Sequence, residues 1–346
     1  MRPGIKPDNL LEWAVLFSGM APVPLMESFW GYALARAVLA GLRLGVFEAL
    51  VPGPETSASV AAAIKCDPDA TGLLLDALNG FGYLRRRGGR YWLAGKARRW
   101  LVSSAPADMS EALLFIGELS KMMDGLEDSV RTGRTVNFHH LGKPDEFWAH
   151  YLRGLGSFVN FAGPAIVRSV PFRRPPRRLL DVGGGHGMYS LAFCRKYPGL
   201  TADVLDLPAA VAQGREIIRG RSDGDRVRFI EGDLRTADWG TGYDAVLLFN
   251  IVHNLTEEEN RQAFAKAHAC LNAGGAVVVE DGRHAGTGGD LDAVSGFSGL
   301  LFFHLSSCRL YTEAEIACWL RLAGFPRPHK RLLRAMPAIL LLSAQK

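Results

Sequence analysis

Short apolar runs alternate with helical patterns along the second half of the chain, from about residue 178 to residue 346. The runs are of strand length and occupy residues 178–182, 201–207, 226–234, 243–252 and 273–281. A helical stretch at 189–197 separates the first two, and Thr256 followed by three glutamates predicts the start of another helix. This alternation predicts an α/β fold with a doubly wound sheet.

The first of these runs ends in a glycine-rich turn that predicts a nucleotide site. Gly183, Gly185 and Gly187 let the backbone turn sharply and let a ligand approach its N–H groups. The spacing fits NAD poorly, because Met188 stands where a dinucleotide fingerprint has its third glycine. Asp181 would repel phosphate and attract an ammonium or sulfonium group, which favours S-adenosylmethionine.

Polar side chains follow the next strands at the points where they end. Asp206 ends the second strand, where a ribose would lie, and Asp233 follows the third strand in a Gly-Asp pair that could accept from an adenine amino group. The fourth strand runs into His253, and the fifth ends at Asp281. Because open α/β sheets bind ligands at the carboxyl ends of their strands, we expect these groups to share one site.

The first half of the chain predicts helices and a winged helix. Residues 29–50 form apolar helical segments interrupted by Gly41 and Gly45, which suggests burial against a second subunit, with the core of one chain as the alternative. Helices at 57–63 and 69–81, followed by a hairpin at 83–93, have the order of a winged helix. Four arginines lie in its wing, and the net charge of +5 and pI near 9.0 permit nucleic-acid contact without requiring it.

The middle of the chain predicts two further helices, an amphipathic one at 109–130 and an aromatic one at 145–159. Trp148 and Tyr151 in the second helix are candidates for an acceptor pocket, although an aromatic stripe also suits a core. We expect three divisions: a winged-helix module at 1–105, a helical connector at 106–172 and the α/β domain at 173–346.

Composition is typical of a cytoplasmic enzyme. The chain of 346 residues is 48% hydrophobic and 22% charged, which suits two domains, and no apolar run predicts a membrane span or a signal peptide. Its five cysteines are scattered and odd in number, as expected in a reducing compartment.

Residues 178–346 resemble the class I S-adenosylmethionine-dependent methyltransferases, and more narrowly the small-molecule O-methyltransferases of plants and natural-product bacteria. The matching motifs are Asp181 to Gly187, Asp206-Leu207-Pro208, Gly232-Asp233 and His253. The resemblance implies a Rossmann-like domain that binds S-adenosylmethionine, with S-adenosylhomocysteine as product and no metal. It also implies that the amino-terminal module dimerises and closes over the substrate, which makes nucleic acid an unexpected partner.

The resemblance assigns roles to individual residues. Asp206 would hold the ribose hydroxyls, Asp233 and Leu234 would flank the adenine, and Phe249 and Asn250 would line the cofactor, with the glycines under its methionine half. Leu207, in the same motif as Asp206, would also belong to the cofactor site. His253 would be the catalytic base and Asp281 one of two acids that orient its ring. Three positions depart from the plant enzymes: Phe249 replaces a lysine, Asn254-Leu255 replaces Asp-Trp, and Leu310 replaces the second acid.

The resemblance implies an O-methyltransferase that acts on a hydroxyl of a small aromatic or polyketide-like metabolite, with His253 as general base. Nitrogen or carbon acceptors, a member of the fold that no longer methylates, and a winged-helix DNA-binding regulator with a ligand-sensing domain are the alternatives. His186 either touches the cofactor or fills the turn, and His304 either faces the substrate or lies on a helix surface. His139-His140 has no partners at metal-ligand spacing, so no metal site is predicted.

Overall fold

The computed structural model describes residues 4–138, 145–170, 172–284, 293–331, 333, 336 and 338–346, without the side chains of Asp145 and Val294. Within this part the chain forms two compact units, Met1–Gly117 and Glu118–Lys346. The expected divisions at 1–105, 106–172 and 173–346 stay a prediction.

The first unit contains the winged helix. Its helices are α1 (Leu10–Phe17), α2 (Val23–Arg43), α3 (Val46–Ala49), α4 (Ser57–Ile64), α5 (Pro68–Gly80) and α6 (Gly95–Trp100), and α7 (Ser110–Met122) crosses the boundary between the units. The strands β1 (Glu55–Thr56), β2 (Leu84–Arg87) and β3 (Arg90–Leu93) form an antiparallel sheet in the order β1-β3-β2. Gly88 and Gly89 turn the hairpin at positive φ, as the sequence predicts.

One expected break in this unit is wrong. Gly41 does not interrupt α2, which continues to Arg43. Its lack of a side chain serves packing instead, because a Cβ there would lie 3.0 Å from the Phe47 ring. Gly45 does end the segment, since it takes a left-handed conformation with φ 80° before α3.

The second unit is built on a seven-stranded sheet in the order β6-β5-β4-β7-β8-β10-β9. Its strands are β4 (Arg178–Val182), β5 (Thr201–Asp206), β6 (Val227–Glu231), β7 (Tyr243–Phe249), β8 (Leu271–Gly282), β9 (His329–Arg331) and β10 (Ile339–Gln345). The first five strands in the order are parallel, and β10 pairs antiparallel with β8 and β9. The chain reverses direction across the sheet between β4 and β7, so a ligand crevice is expected at their carboxyl ends.

The helices of the second unit are α8 (Leu126–Thr132), α9 (Asp145–Ser169), α10 (Met188–Lys196), α11 (Pro208–Ile218), α12 (Glu257–Cys270), α13 (Ala293–Ser306) and α14 (Glu313–Leu322). Apolar clusters cover both faces of the sheet, as a doubly wound fold requires. The helix α12 begins with a capping box in which Thr256 and Glu259 bond each other's backbone amides.

Three element bounds differ from the prediction. The expected helix at 109–130 breaks at a 3₁₀ turn, Met123–Gly125, where the carbonyl of Met122 accepts a bond from the His304 ring instead of continuing the helical pattern. The aromatic helix α9 continues to Ser169. The fourth strand ends at Phe249, so His253 lies in a separate 3₁₀ turn, Val252–Asn254. In the described residues, no helix is long and apolar enough to cross a membrane.

Candidate active site

The glycine turn after β4 forms a cradle, in which a side chain at a glycine position would clash with neighbouring residues. Gly183 and Gly185 have φ of 69° and 43°, in the left-handed region that favours glycine. A Cβ at Gly183 would lie 2.8 Å from Ile251, and one at Gly185 would lie 2.8 Å from Leu152. The sequence expectation of a turn that needs glycines is therefore confirmed, and the close approach leaves no room for any other residue.

Asp206, at the end of β5, is tied to this turn. Its Oδ2 accepts the Gly185 N–H at 2.7 Å, and its Oδ1 accepts the Leu207 N–H at 2.7 Å. Burial raises the pKa of Asp206 to about 6 even though both amide bonds lower it. The structure thus brings the ribose candidate and the glycine turn together, as the sequence predicts.

Asp181 carries an unusual buried charge. Its side chain is 1% exposed, and Ser190 Oγ donates to its Oδ2 at 2.7 Å. The other oxygen, Oδ1, is buried with no hydrogen-bond partner in the described part of the chain. Burial raises the pKa of Asp181 to about 7. An unsatisfied carboxylate oxygen beside a glycine cradle fits a cationic ligand group, such as the ammonium of an amino acid.

Glu280 is a buried acid that the sequence analysis missed. Its carboxylate accepts from Asn250 Nδ2 at 2.7 Å, and its carbonyl accepts the Asn250 N–H at 2.8 Å. Burial, together with the nearby charge of Asp281, raises the pKa of Glu280 to about 8. The paired bonds hold Asn250 at φ 52° where β7 ends. The signal was present in the sequence as two consecutive acids at the end of β8.

The acids form one group at the carboxyl ends of the strands. The pKa of Tyr189 is raised by burial and by the charges of both Glu280 and Asp181, so both acids lie near its hydroxyl. Asp181 in turn has its pKa raised by the charge of Asp206. A chain of net positive charge therefore places its acidic groups around the crevice, which favours a cationic ligand over a dinucleotide phosphate.

His253 is held by Asp281. Its Nδ1 lies 2.6 Å from Asp281 Oδ1, and its backbone N–H donates to Oδ2 at 3.1 Å. The ring is 6% exposed and stacks on Phe302 with 3.8 Å between ring centroids and 21° between planes. Because the carboxylate accepts at Nδ1, the lone pair of the neutral ring lies on Nε2, where a base needs it. Asp281 also accepts the Gly282 N–H, so the same carboxylate can orient the ring and cap the start of the loop that follows β8.

The adenine candidates lie beyond the end of β6. Asp233 pairs with Arg235 at 2.6 Å, and its side chain is partly exposed. Leu234 packs at the edge of an apolar cluster. Phe249 is buried and packs edge-on against Tyr189, so it supports the crevice wall from within the core. Cofactor contact by these residues stays a prediction.

The aromatic helix α9 lies beside the glycine turn. Leu152 contacts Gly185, and the pKa of Tyr151 is raised by burial and by the charge of Asp206. Trp148 is buried against Tyr151 and Ala210. Tyr151 therefore lies near Asp206, Trp148 packs against Tyr151, and an acceptor role for both stays a prediction.

Two other buried histidines, His304 and His186, make hydrogen bonds within the protein. His304 is fully buried, with Nδ1 2.8 Å from Ser129 Oγ and Nε2 2.8 Å from the Met122 carbonyl, so the expectation of a helix-surface position is wrong. This ring joins α13 to α8, which leaves neither nitrogen for a substrate. His186 Nδ1 accepts the Met188 N–H at 3.0 Å, which fills the turn, and burial lowers its pKa to about 4. His139-His140 lies outside the described residues.

Leu310 occupies the place of the expected second acid. It is buried, and its side chain packs so closely on Gly282 that a Cβ there would lie 2.7 Å from Leu310 Cδ2. Among the described residues, no group of three or more His, Cys, Asp or Glu could hold a metal ion.

Comparison with known proteins identifies both units. A family model described as the O-methyltransferase domain matches residues 123–326, and one described as the O-methyltransferase dimerisation domain matches residues 26–103. Acetylserotonin O-methyltransferase of Mus musculus is 29% identical over 88% of this chain and 83% of that protein. The 3-hydroxy-5-methyl-1-naphthoate 3-O-methyltransferase of Streptomyces sahachiroi is 28% identical over 88% of this chain and 89% of that protein. The solved structure of PigF with SAH is 25% identical, with a TM-score of 0.79 over 93% of this chain and 99% of that one.

Proposed function

This chain belongs to the O-methyltransferase family, and we propose that it transfers the methyl group of S-adenosylmethionine to a hydroxyl of a small aromatic or polyketide-like metabolite. The observation that carries the proposal is the His253–Asp281 pair, 2.6 Å apart at the carboxyl end of the sheet beside the glycine cradle. The naphthoate enzyme of Streptomyces sahachiroi, which by its name methylates a hydroxyl on an aromatic ring, supports the acceptor class.

The residues of the crevice fit the cofactor. Asp181, with its unpartnered buried oxygen, would hold the ammonium group, and Asp206 would hold the ribose hydroxyls. Asp233, Leu234 and Asn250 would surround the remainder of the nucleoside. When bound, S-adenosylmethionine supplies a methyl group that its sulfonium already activates.

His253 would remove the proton of the acceptor hydroxyl. Its Nε2 makes no hydrogen bond within the described part of the protein, while Asp281 fixes the opposite nitrogen. The carboxylate stabilises the imidazolium that forms when the ring takes up a proton. A positioned base contributes roughly 10²–10⁴-fold to the rate of methyl transfer.

The first experiment is a calorimetric titration with S-adenosylmethionine, S-adenosylhomocysteine and NAD. We expect micromolar binding of the two sulfur nucleosides and none of NAD, because acids and not phosphate-binding groups surround the crevice. Asp181 has a pKa raised to about 7, so it is mainly protonated below that pH and ionised above it. Affinity for S-adenosylmethionine should therefore rise about tenfold between about pH 5.5 and about pH 7.

Asp181→Asn is the matched variant for this titration, since an amide oxygen can still accept from Ser190. It should bind S-adenosylmethionine more weakly than the wild type at about pH 7 and show a flatter pH dependence. Binding of NAD, or an equal pH dependence in both proteins, would contradict the assignment of Asp181 to the ammonium group.

We propose a homodimer formed through the amino-terminal unit. The unit contains the dimerisation domain, and its first two helices expose large apolar side chains. Leu10 and Leu11 in α1 are 86% and 75% exposed, and Phe29 and Trp30 in α2 are at least half exposed. Exposed patches of this kind are typical of subunit interfaces.

Sedimentation velocity should therefore give about twice the chain mass of 37.7 kDa, and Phe29→Asp with Trp30→Asp should shift the protein to the monomer. A wild-type protein that sediments as a monomer at every concentration tested would refute the proposal. Replacing Leu73, which is also exposed but lies in α5, controls for loss of apolar surface as such.

We also assign the enzyme to the cytoplasm. The five cysteines are all free. Three of them, Cys194, Cys270 and Cys308, are buried, and burial raises their pKa to about 11, so they are inert thiols suited to a reducing compartment.

A further inference from the structure

Among the described residues, one carboxylate, that of Asp281, holds the His253 ring. Asp281 Oδ1 lies 2.6 Å from Nδ1, and Leu310, which stands where the resemblance to the plant enzymes implies a second acid, is apolar and buried. A single in-plane hydrogen bond fixes the direction of the Nδ1–Nε2 axis better than it fixes the plane of the ring, because the ring can still rotate about the line to the carboxylate. A second contact is needed to define that plane.

Phe302 makes this second contact. It lies in α13, and its ring stacks on His253 at 3.8 Å between centroids and 21° between planes. A face-to-face contact restricts rotation of the imidazole out of its plane while leaving the edge that carries Nε2 uncovered. The helix that presents Phe302 is itself anchored in the same unit, because His304, two residues later, is fully buried between Ser129 and the Met122 carbonyl.

The stack also matters for charge. When the imidazole takes up a proton, the negative face of the Phe302 ring attracts the cation. Asp281 supplies the only carboxylate that contacts the ring in the described part of the chain. The aromatic face therefore contacts the ring from a direction that Asp281 does not reach.

We propose that Phe302 is a positioning residue for the base, and that its aromatic face takes over the ring-fixing role that the second acid has in the plant enzymes. Phe302 acts through His253 and not on the reacting atoms. The proposal rests on the proposed function, since it assumes that His253 is the base.

The test compares Phe302→Leu, Phe302→Tyr and Phe297→Leu in the full-length protein. Phe297 lies in the same helix but is 53% exposed, so it controls for the loss of an aromatic ring from α13. The assay uses 3-hydroxy-5-methyl-1-naphthoate as probe acceptor. Phe302→Leu should lower kcat about tenfold with KM and the Kd for S-adenosylmethionine within about twofold, and Phe302→Tyr and Phe297→Leu should retain the wild-type kcat within about twofold.

A second readout needs no acceptor. Diethylpyrocarbonate modifies accessible imidazole nitrogens, and peptide mass spectrometry gives the rate at His253. Phe302→Leu should raise this rate at least fivefold, and Phe302→Tyr should not, because only leucine removes the face-to-face contact that restricts rotation of the ring, and a ring that rotates presents Nε2 to the reagent in more orientations. An unchanged rate and an unchanged kcat in Phe302→Leu, or an equal loss in Phe302→Tyr, would overturn the proposal. A wild-type protein that transfers no methyl group but shows the predicted labelling pattern would instead refute the proposed function while leaving the ring contact in place.

Discussion

His253→Ala is expected to lower methyl transfer at least tenfold, and toward the 10²–10⁴-fold range usual for a positioned base, while S-adenosylmethionine binds as in the wild type. The ring contacts Asp281 and Phe302, and cofactor affinity depends on other groups, Asp181 and Asp206 above all. Removing the ring therefore removes the proton acceptor and leaves the cofactor site intact. Steady-state rates with a phenolic acceptor and calorimetric Kd values measure the two effects separately.

The control for this variant is His329→Ala, because His329 is exposed on the edge strand β9. It should leave both rate and affinity unchanged. Unchanged turnover in His253→Ala would remove the base assignment, and the enzyme would then depend on proximity alone, as expected for a nitrogen or carbon acceptor that needs no strong base. A fall in cofactor affinity as large as the fall in rate would place His253 in the cofactor site.

Asp206→Ala is expected to weaken binding of S-adenosylmethionine and S-adenosylhomocysteine by about 10²-fold or more. The carboxylate would bond the ribose, and it also anchors the Gly185 and Leu207 amides at 2.7 Å each. Hydrogen bonds to a charged group contribute about 1.5–3 kcal/mol each, so the loss of the ribose contacts and the loosening of the turn add to a large effect. Calorimetric titration of the variant measures it directly.

Two further proteins make this result interpretable. Asp206→Asn keeps the size of the side chain and one amide contact, so its affinity should lie between those of the wild type and Asp206→Ala. Asp225→Ala removes an exposed carboxylate elsewhere in the unit and should bind normally. Wild-type affinity in Asp206→Ala, with circular dichroism showing a folded protein, would mean that the ribose lies elsewhere.

Local sequence determined the frame of the enzyme. Gly183 and Gly185 predicted a turn that the backbone can make only with positive φ, and the apolar runs predicted the parallel strands, because period and length are properties of neighbouring residues. Asp206 and His253 then followed from their places after strand ends, since parallel strands bring their carboxyl ends to one edge. The winged helix followed from two helices and a hairpin signal in succession.

Only the tertiary structure decided how these groups are held. Glu280 meets Asn250 across two strands, Phe302 stacks on His253 from a helix about 50 residues further along the chain, and neither pairing has a local sequence signal. The break at Met123–Gly125 likewise depends on His304, which lies about 180 residues further along the chain. Its ring donates a hydrogen bond to the Met122 carbonyl, which would otherwise accept within the helix. Burial has the same origin: the raised pKa values of Asp181 and Glu280 arise because elements distant in sequence exclude water from them. The sequence of this chain specifies which groups reach the crevice, whereas their contacts and charges depend on packing between segments that no local pattern relates.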